Sequence, residues 1–267
     1  MMRVVSVDRD LGVGVTHPAY ATLECGDYCF HAFIKFKDNP EGVLCLINEL
    51  ISSRIAKRLG VLIPECGVAT IDDDTIDNTS YCIQEGSRGS CFFSKQIEAA
   101  VKLNERAMPY ICNKDSYEKI ILFDHLIYNT DRNPGNLLLS SKKREKVLYA
   151  IDHTHVFKNQ AIWDANCLRQ GILDKDFNDE CIIESSEGYS LFGADKPITL
   201  RSLTEVAGIF EERINEEVIN EILCDLPYDW PIEKSNLEAL KDYLLYRTSH
   251  LREMCKVIVK TKGWSNV

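Results

Sequence analysis

Long apolar runs are missing from this sequence. A membrane-spanning helix needs roughly 20 consecutive apolar residues, whereas the longest candidates, Leu44–Leu50 and Ile120–Tyr128, are broken by Asn48, Glu49, Asp124 and His125. The opening MMRVVSVDRD soon reaches charge and has neither the apolar centre nor the cleavage site of a signal peptide. Basic residues are the minority: 31 Lys and Arg stand against 41 Asp and Glu, a formal charge of −10. Non-specific nucleic-acid binding and docking on anionic lipid both draw on excess positive charge, so neither is expected, although a locally basic pocket is compatible with the balance. Internal repeats and low-complexity tracts are absent. The proportions, 45% hydrophobic and 27% charged, exclude a disordered, collagen-like or coiled-coil chain.

Cysteine is plentiful, but zinc-type spacing is not. Eleven cysteines cannot all pair within one chain. With no secretion signal they read as reduced thiols, and the cytoplasm is the expected compartment. Cys25 and Cys29 are separated by three residues while Cys82, Cys91 and Cys112 stand alone, so the spacing assembles no set of four tetrahedral ligands. Buried thiols are the better reading. That includes Cys82 and Cys91, which fall near the junction of the two halves described next.

At 267 residues the chain is long enough for one large domain or two lobes. Its first third is strand-like: Arg3–Val7, Tyr20–Leu23 and Tyr28–Phe36 are punctuated by Gly12, Gly14 and the Gly26-Asp27 turn. After the turn Asn39–Gly42, the spacing of Leu46, Leu50, Ile51, Ile55 and Leu59 predicts an amphipathic helix over Val43–Leu59, capped by Gly60. Further strands are expected at Val61–Thr70, Tyr81–Gln84 and Ser90–Ser94, with Asp72–Ser80 a polar loop. Helices are predicted over Ile97–Leu103 and Ser116–Tyr128, the latter opened by an Asp115-Ser116 capping signal. Two strands, Asn136–Leu139 and Val147–Ile151, flank the basic turn Lys142–Lys146, which reads as a solvated hairpin tip. Gln160–Pro197 is poorly patterned, and Leu200–Ile214, Glu216–Leu223 and Leu237–Val259 are helical. The expected fold is α+β in two lobes, residues 1–93 strand-rich and residues 94–267 helix-rich.

The chemistry concentrates in FDHLIYNTDRNPGNLLL and VLYAIDHTHVF. Asp131 and Asn136 are separated by four residues, and Asp152 follows a short hairpin with aliphatic arms. Two carboxylates and an amide oxygen are hard ligands suited to magnesium, which keeps waters and bridges phosphates. Kinase-type enzymes use this set: an aspartate to orient or deprotonate the attacking hydroxyl, an asparagine five positions on and a later aspartate to hold metal on the nucleotide phosphates. The competing reading makes Asn129, Asp131, Asn133 and Asn136 turn formers around Pro134 and Gly135.

The upstream residues tip the balance. A kinase needs a strand lysine for the phosphates and a helix glutamate to position it. Lys35 sits in an apolar strand, where an unpaired cation is costly, and Glu49 lies in the following helix as its partner. Lys35 as an edge-strand side chain reaching into solvent, Lys37 as a competitor, and Glu49 on a solvated helix face are the alternatives. The joint order, strand lysine, helix glutamate, D-x4-N and hairpin aspartate, reads as a kinase-type fold.

The pieces AFIKFK, LINELISSRIAKRLGVLIPE, NTDRNPGNLLL and YAIDHTHVF, spread over Arg9–Phe157, resemble the HipA-like kinases, a bacterial branch related to eukaryotic protein kinases and phosphatidylinositol kinases. The resemblance implies that Lys35 contacts nucleotide phosphate, Glu49 pairs with it, Asp131 is the catalytic aspartate, and Asn136 and Asp152 bind Mg2+. Arg132 and Asn133 are implied to order the loop. It implies ATP as phosphoryl donor, a protein Ser or Thr as acceptor with autophosphorylation, and an antitoxin-like protein partner. The additional N-terminal subdomain of full-length HipA toxins is not expected at this length.

Two departures stand out. No G-x-G-x-x-G is present; the candidate phosphate cover is Gly12–Pro18, with Gly14, Thr16 and His17 as donors. The metal motif is Asp152-His153-Thr154, in place of Asp-Phe-Gly, and His153 and His155 read as packing or hydrogen-bonding within that loop. The D-R-N sequence also fits a phosphatidylinositol or small-molecule kinase, and a nucleotide-binding pseudokinase serving as an interaction module is the non-enzymatic alternative.

Overall fold

The computed structural model describes residues 2–142, 145–184 and 186–266. The N-terminal lobe is built on β1 (Arg3–Asp10), β2 (Ala19–Cys25), β3 (Tyr28–Lys35), β4 (Cys66–Ile71), the short β5 (Ile76–Asp77) and β6 (Gly89–Lys95), in the order β2-β3-β6-β4-β1-β5. Because β1 also pairs antiparallel with β2 along most of its length, and parallel with β4 through Arg3 opposite Thr70, the sheet returns on itself as a small barrel. Period-two alternation fills it. Ala19 faces Ile34, Ala21 faces Ala32 and Leu23 faces Phe30 across the β2–β3 register, and all six are buried. Cys91 belongs to this core and Cys82 packs against it, so both thiols serve apolar packing. With Ala32 and Ile34 turned inward, Phe33 and Lys35 occupy the outer face of β3.

The helix α1 (Val43–Leu59) forms where predicted. Gly60, at φ +74°, donates to Lys57 O while Val61 N donates to Ala56 O; this left-handed cap needs glycine at Gly60. The single-stripe expectation is corrected, because α1 is buried nearly all round, Asn48 and Glu49 included. Its apolar residues also join the core of the C-terminal lobe, separate from that of the barrel.

That larger core surrounds α2 (Ser116–Leu126), where every residue but Lys119 is buried. Here too the amphipathic expectation gives way to a central helix. Asp115 precedes it but makes no capping bond; its carboxylate pairs with Lys119, and Asn113 donates to Ser116 Oγ instead. The predicted helix over Ile97–Leu103 is absent: the segment supplies β7 (Val101–Lys102), which pairs with β8 (Leu137–Lys142), itself paired with β9 (Glu145–Ala150). The hairpin reading of β8–β9 holds, with Leu137 opposite Ala150 and Leu139 opposite Leu148, all buried. Lys143 and Arg144 of the basic turn lie outside the described residues.

The remaining helices are α3 (Ala165–Leu173), α4 (Cys181–Glu184), α5 (Glu187–Asp195), α6 (Leu200–Arg213), α7 (Glu216–Leu223), α8 (Lys234–Ser249) and α9 (Leu251–Lys262). Three of them arise in the poorly patterned stretch, and the single helix expected over Leu237–Val259 is divided at His250 into α8 and α9. Tyr81–Gln84 is not a strand. The Asp77 carboxylate accepts from Thr79 N and Ile83 N and folds the segment into a loop.

The lobes are tied at several points around α1. Arg54 donates to Ile222 O and Cys224 O, and Arg213 donates to Leu59 O. The segment between α7 and α8 reaches the barrel, where Asp229 accepts from Ser90 N and Lys37, and the buried Trp230 donates to Ser90 O. Lys37 is thus committed to Asp229, away from the site described next. No helix among the described residues is long and apolar enough to cross a membrane.

Candidate active site

Lys35 projects from the end of β3 and is 13% exposed. Its Nζ lies 2.5 Å from Glu49 Oε1, 2.9 Å from Asp152 Oδ1 and 2.7 Å from Thr154 Oγ1. Burial works against the ammonium, but Glu49 and Asp152 more than offset it and raise the lysine pKa. Burial likewise opposes the charge on Asp152, and Lys35 outweighs it, holding that carboxyl well below the usual range. The strand lysine and helix glutamate are therefore a real pair, and Glu49 is not on a solvated face.

Glu49 is held from its other oxygen as well: Oε2 accepts from the backbone N–H of His153 at 3.0 Å. Its neighbour Asn48 donates to Thr154 O at 2.8 Å and accepts from Trp163 Nε1 at 2.8 Å. Glu49 and Asn48 thus pin the loop that carries Asp152 from both sides. Asp152 itself has φ +58°, a left-handed conformation costing on the order of 1–3 kcal/mol in a non-glycine residue. The bonds of its carboxylate to Thr154 and Lys35, and the bond of the next residue's N–H to Glu49, hold it there.

The Asp131 loop follows α2. Asp131 N donates to Asn129 Oδ1, Asn136 Nδ2 donates to Asp131 Oδ2 at 3.1 Å, and Asn133 Nδ2 donates to Asp131 Oδ1 at 3.1 Å. Because Nδ2 of Asn136 is committed to Asp131, Oδ1 is the atom left to accept from or coordinate a ligand. Gly135 N donates to Asn133 Oδ1, so the turn-forming role of this sequence is also realised. The two readings coexist: the turn is what presents the carboxylate.

The Asp131 and Asp152 loops are joined through backbone and side chain. Ile151 N donates to Asn136 O, and Arg132 Nη1 donates to both Asn136 O and Ile151 O, at 2.6 and 2.9 Å. Arg132 is fully buried and orders the loop, while Asn133 braces the carboxylate. The side chains of Asp131 and Asp152 remain 45% and 41% exposed, so both carboxylates open to solvent above a buried frame.

Lys35, Glu49, Asp131, Asn136 and Asp152 are thus brought together by direct bonds or one shared neighbour. Gly14, Thr16 and His17 are in the connection between β1 and β2. Gly14 and His17 are exposed there and Thr16 is buried; among the described residues no hydrogen bond joins them to the Lys35 cluster. Sequence reasoning missed Asn48, Thr154 and Asp124 as parts of the frame. The available signal was the polar interruption of apolar helices at Asn48 and Asp124. His153 meets the expectation of a packing role: it is buried, stacks edge-on to Phe123, lies 3.0 Å from Arg132 Nη2, and burial depresses its pKa.

Among solved structures, the chain is similar to the proinflammatory kinase CtkA of Helicobacter pylori at 13% identity, covering 97% of this chain and 98% of that one, with a TM-score of 0.59. It is also similar to HipA of Shewanella oneidensis, solved with HipB and operator DNA, at 13% identity over 96% of this chain and 66% of that one, with a TM-score of 0.44. No curated protein sequence matches. At such identities the likeness to CtkA speaks to a kinase-type fold alone. The sequence family described as HipA-like kinase matches residues 4–179, a span that includes every residue of the cluster, and the chain belongs to that family.

Proposed function

We propose that this protein is an ATP- and magnesium-dependent kinase that transfers the γ-phosphoryl group to a hydroxyl, a serine or threonine of a protein, with autophosphorylation as a companion activity. One observation carries the reading: Lys35 Nζ bridges Glu49 and Asp152 while Asn136 ties Asp131 into the same assembly. Those are the parts phosphoryl transfer needs, since its catalysis is mostly positioning and charge stabilisation.

Magnesium fits the donor set. Asn136 Oδ1 and the Asp152 carboxylate are hard oxygens, the donor type of an ion that takes one or two protein ligands and completes its shell with water and phosphate. Magnesium, when bound, would neutralise phosphate charge. Lys35, held charged by two carboxylates, binds phosphate oxygens. Asp131, partly exposed and braced on both oxygens, accepts the hydrogen bond of the acceptor hydroxyl and aims its oxygen. The loop Gly12–Pro18 is proposed to cover the phosphates with Gly14, Thr16 and His17.

Radiolabel transfer from ATP, including autophosphorylation, tests the proposal. Asp131→Ala is expected to abolish it with little change in melting temperature, and full activity in that variant would end the reading. The D-R-N sequence at Asp131–Asn133 supports a second acceptor class, phosphatidylinositol or a small molecule. Thin-layer analysis of a lipid assay beside a protein-substrate assay separates the two. Nucleotide binding without turnover under any metal would instead identify an interaction module.

A further inference from the structure

His155 stands between two carboxylates drawn from different lobes. Its Nε2 lies 2.8 Å from Glu41 Oε1, and its Nδ1 lies 3.7 Å from Asp131 Oδ2. Glu41 belongs to the turn Asn39–Gly42 that leads into α1; its N–H donates to Asn39 Oδ1, and its other oxygen, Oε2, is buried without a hydrogen-bond partner among the described residues. The backbone carbonyl of His155 accepts from Thr130 N, next to Asp131. The turn before α1, the catalytic loop and the metal loop therefore meet at one imidazole.

A neutral imidazole has one N–H, enough for the hydrogen bond to Glu41, but a carboxylate beside each ring nitrogen, Asp131 at ion-pair distance, favours the imidazolium with its positive charge shared between them. We propose that His155 is a positioning residue for Asp131, an imidazolium anchored by Glu41 that braces the catalytic carboxylate from the side opposite Asn133. This deepens the kinase reading and rests on it for the role of Asp131.

The bracing completes the set of contacts on that carboxylate. Oδ1 receives Asn133, and Oδ2 receives Asn136 with His155 at ion-pair distance. The electrostatics agree from both ends: Asp131 first and then Glu41 push the histidine up to about 9, and His155 heads the influences that lower Asp131. The charged groups facing His155 are Glu41 from the turn and Asp131 from its loop, with Asp152 acting on Asp131 from the metal loop. A carboxylate so held stays ionised and serves chiefly to orient the hydroxyl. Misplacing such a group by about 1 Å costs on the order of a hundredfold in rate.

Two measurements on the full chain decide the matter. Imidazole NMR, with the His155 signal assigned by its loss in His155→Gln, is expected to show a midpoint near 9 that falls by more than one unit in Asp131→Asn and in Glu41→Gln. A midpoint near the ordinary 6.5, or one indifferent to Asp131→Asn, overturns the proposal. In steady-state phosphoryl transfer, His155→Gln is expected to lower kcat about tenfold to a hundredfold with KM for ATP within about twofold, and His155→Lys, which restores the cation, to recover part of the loss. An unchanged kcat, or a loss confined to KM, also overturns it. Should the wild-type chain transfer no phosphoryl group at all, the kinase reading fails by itself, while the titration, which needs no turnover, still rules on the bracing.

Discussion

Arg132 and Asp124 form a fully buried, two-pronged ion pair, with Nε 2.9 Å from Oδ2 and Nη2 2.9 Å from Oδ1. Asp124 lies in the last turn of the central helix α2 and also accepts from Asn129 Nδ2 and from Tyr189 OH on α5. Arg132 spends its Nη1 hydrogens on the carbonyls of Asn136 and Ile151, and its Nη2 also lies 3.0 Å from His153 Nε2. The core of the C-terminal lobe therefore sets the height and spacing of the loops bearing Asp131 and Asp152 through one pair of charges.

Breaking that pair leaves an uncompensated buried charge, so Asp124→Ala is expected to cost about 3–5 kcal/mol. Arg132→Lys keeps the charge but not the planar fork and is expected to lose activity as well as stability. Denaturant unfolding monitored beside phosphoryl transfer checks both. An Asp124→Ala protein with wild-type stability would remove Arg132 from this role.

Lys35 and Glu49 should act as a unit. Lys35→Met is expected to abolish transfer, and Glu49→Gln to reduce it by about 10²-fold or more. The double variant should be no worse than Lys35→Met, because effects within one catalytic unit are not additive. Additive losses in the cycle would show that Glu49 acts through another group.

The strap between α7 and α8 is expected to hold the barrel against α1. Trp230→Ala, removing a buried indole and its bond to Ser90 O, should cost about 3–5 kcal/mol. Hydrogen exchange in that variant should quicken in β6 and at the end of α1 before the α2 core opens. Uniform acceleration across both lobes would argue against a local tie.

Two histidines predict stability changes of opposite sign in different pH ranges. Burial lowers His125 to about 3, so the unfolded chain takes up a proton there before the folded one does. Stability is lost as pH falls from about 6.5 toward 3, and His125→Phe should flatten that limb. His155, raised to about 9, contributes fully below about 6.5 and loses its contribution as pH climbs through 9. His155→Gln should flatten the alkaline limb. Denaturant unfolding across the pH range measures both slopes.

Local pattern carried much of the fold. Alternation in β2 and β3 needs only a period of two and tight turns, and the β8–β9 hairpin and the Gly60 cap are equally local. The order Lys35, Glu49, Asp131, Asn136, Asp152 was legible for a chemical reason, since each residue type suits one task and the strand, helix and hairpin beneath them leave periodic traces. The helix expected at Ile97–Leu103 was lost because β8 offers Val101 and Lys102 a strand partner, a non-local pairing that outweighs a short helical pattern.

What residue order determined by itself is the cast: an apolar strand that includes a lysine, a helix that includes a glutamate, and a turn that includes Asp131. Tertiary structure decided the environment of each. Only packing could bury α1 and α2 nearly all round, turn Asn48 and Asp124 from interruptions into anchors, close the first sheet into a barrel, and bring Glu41 to His155 across the lobe boundary. Those outcomes depend on which distant surfaces exclude water together, and burial is what makes a polar side chain seek a partner far away in the chain.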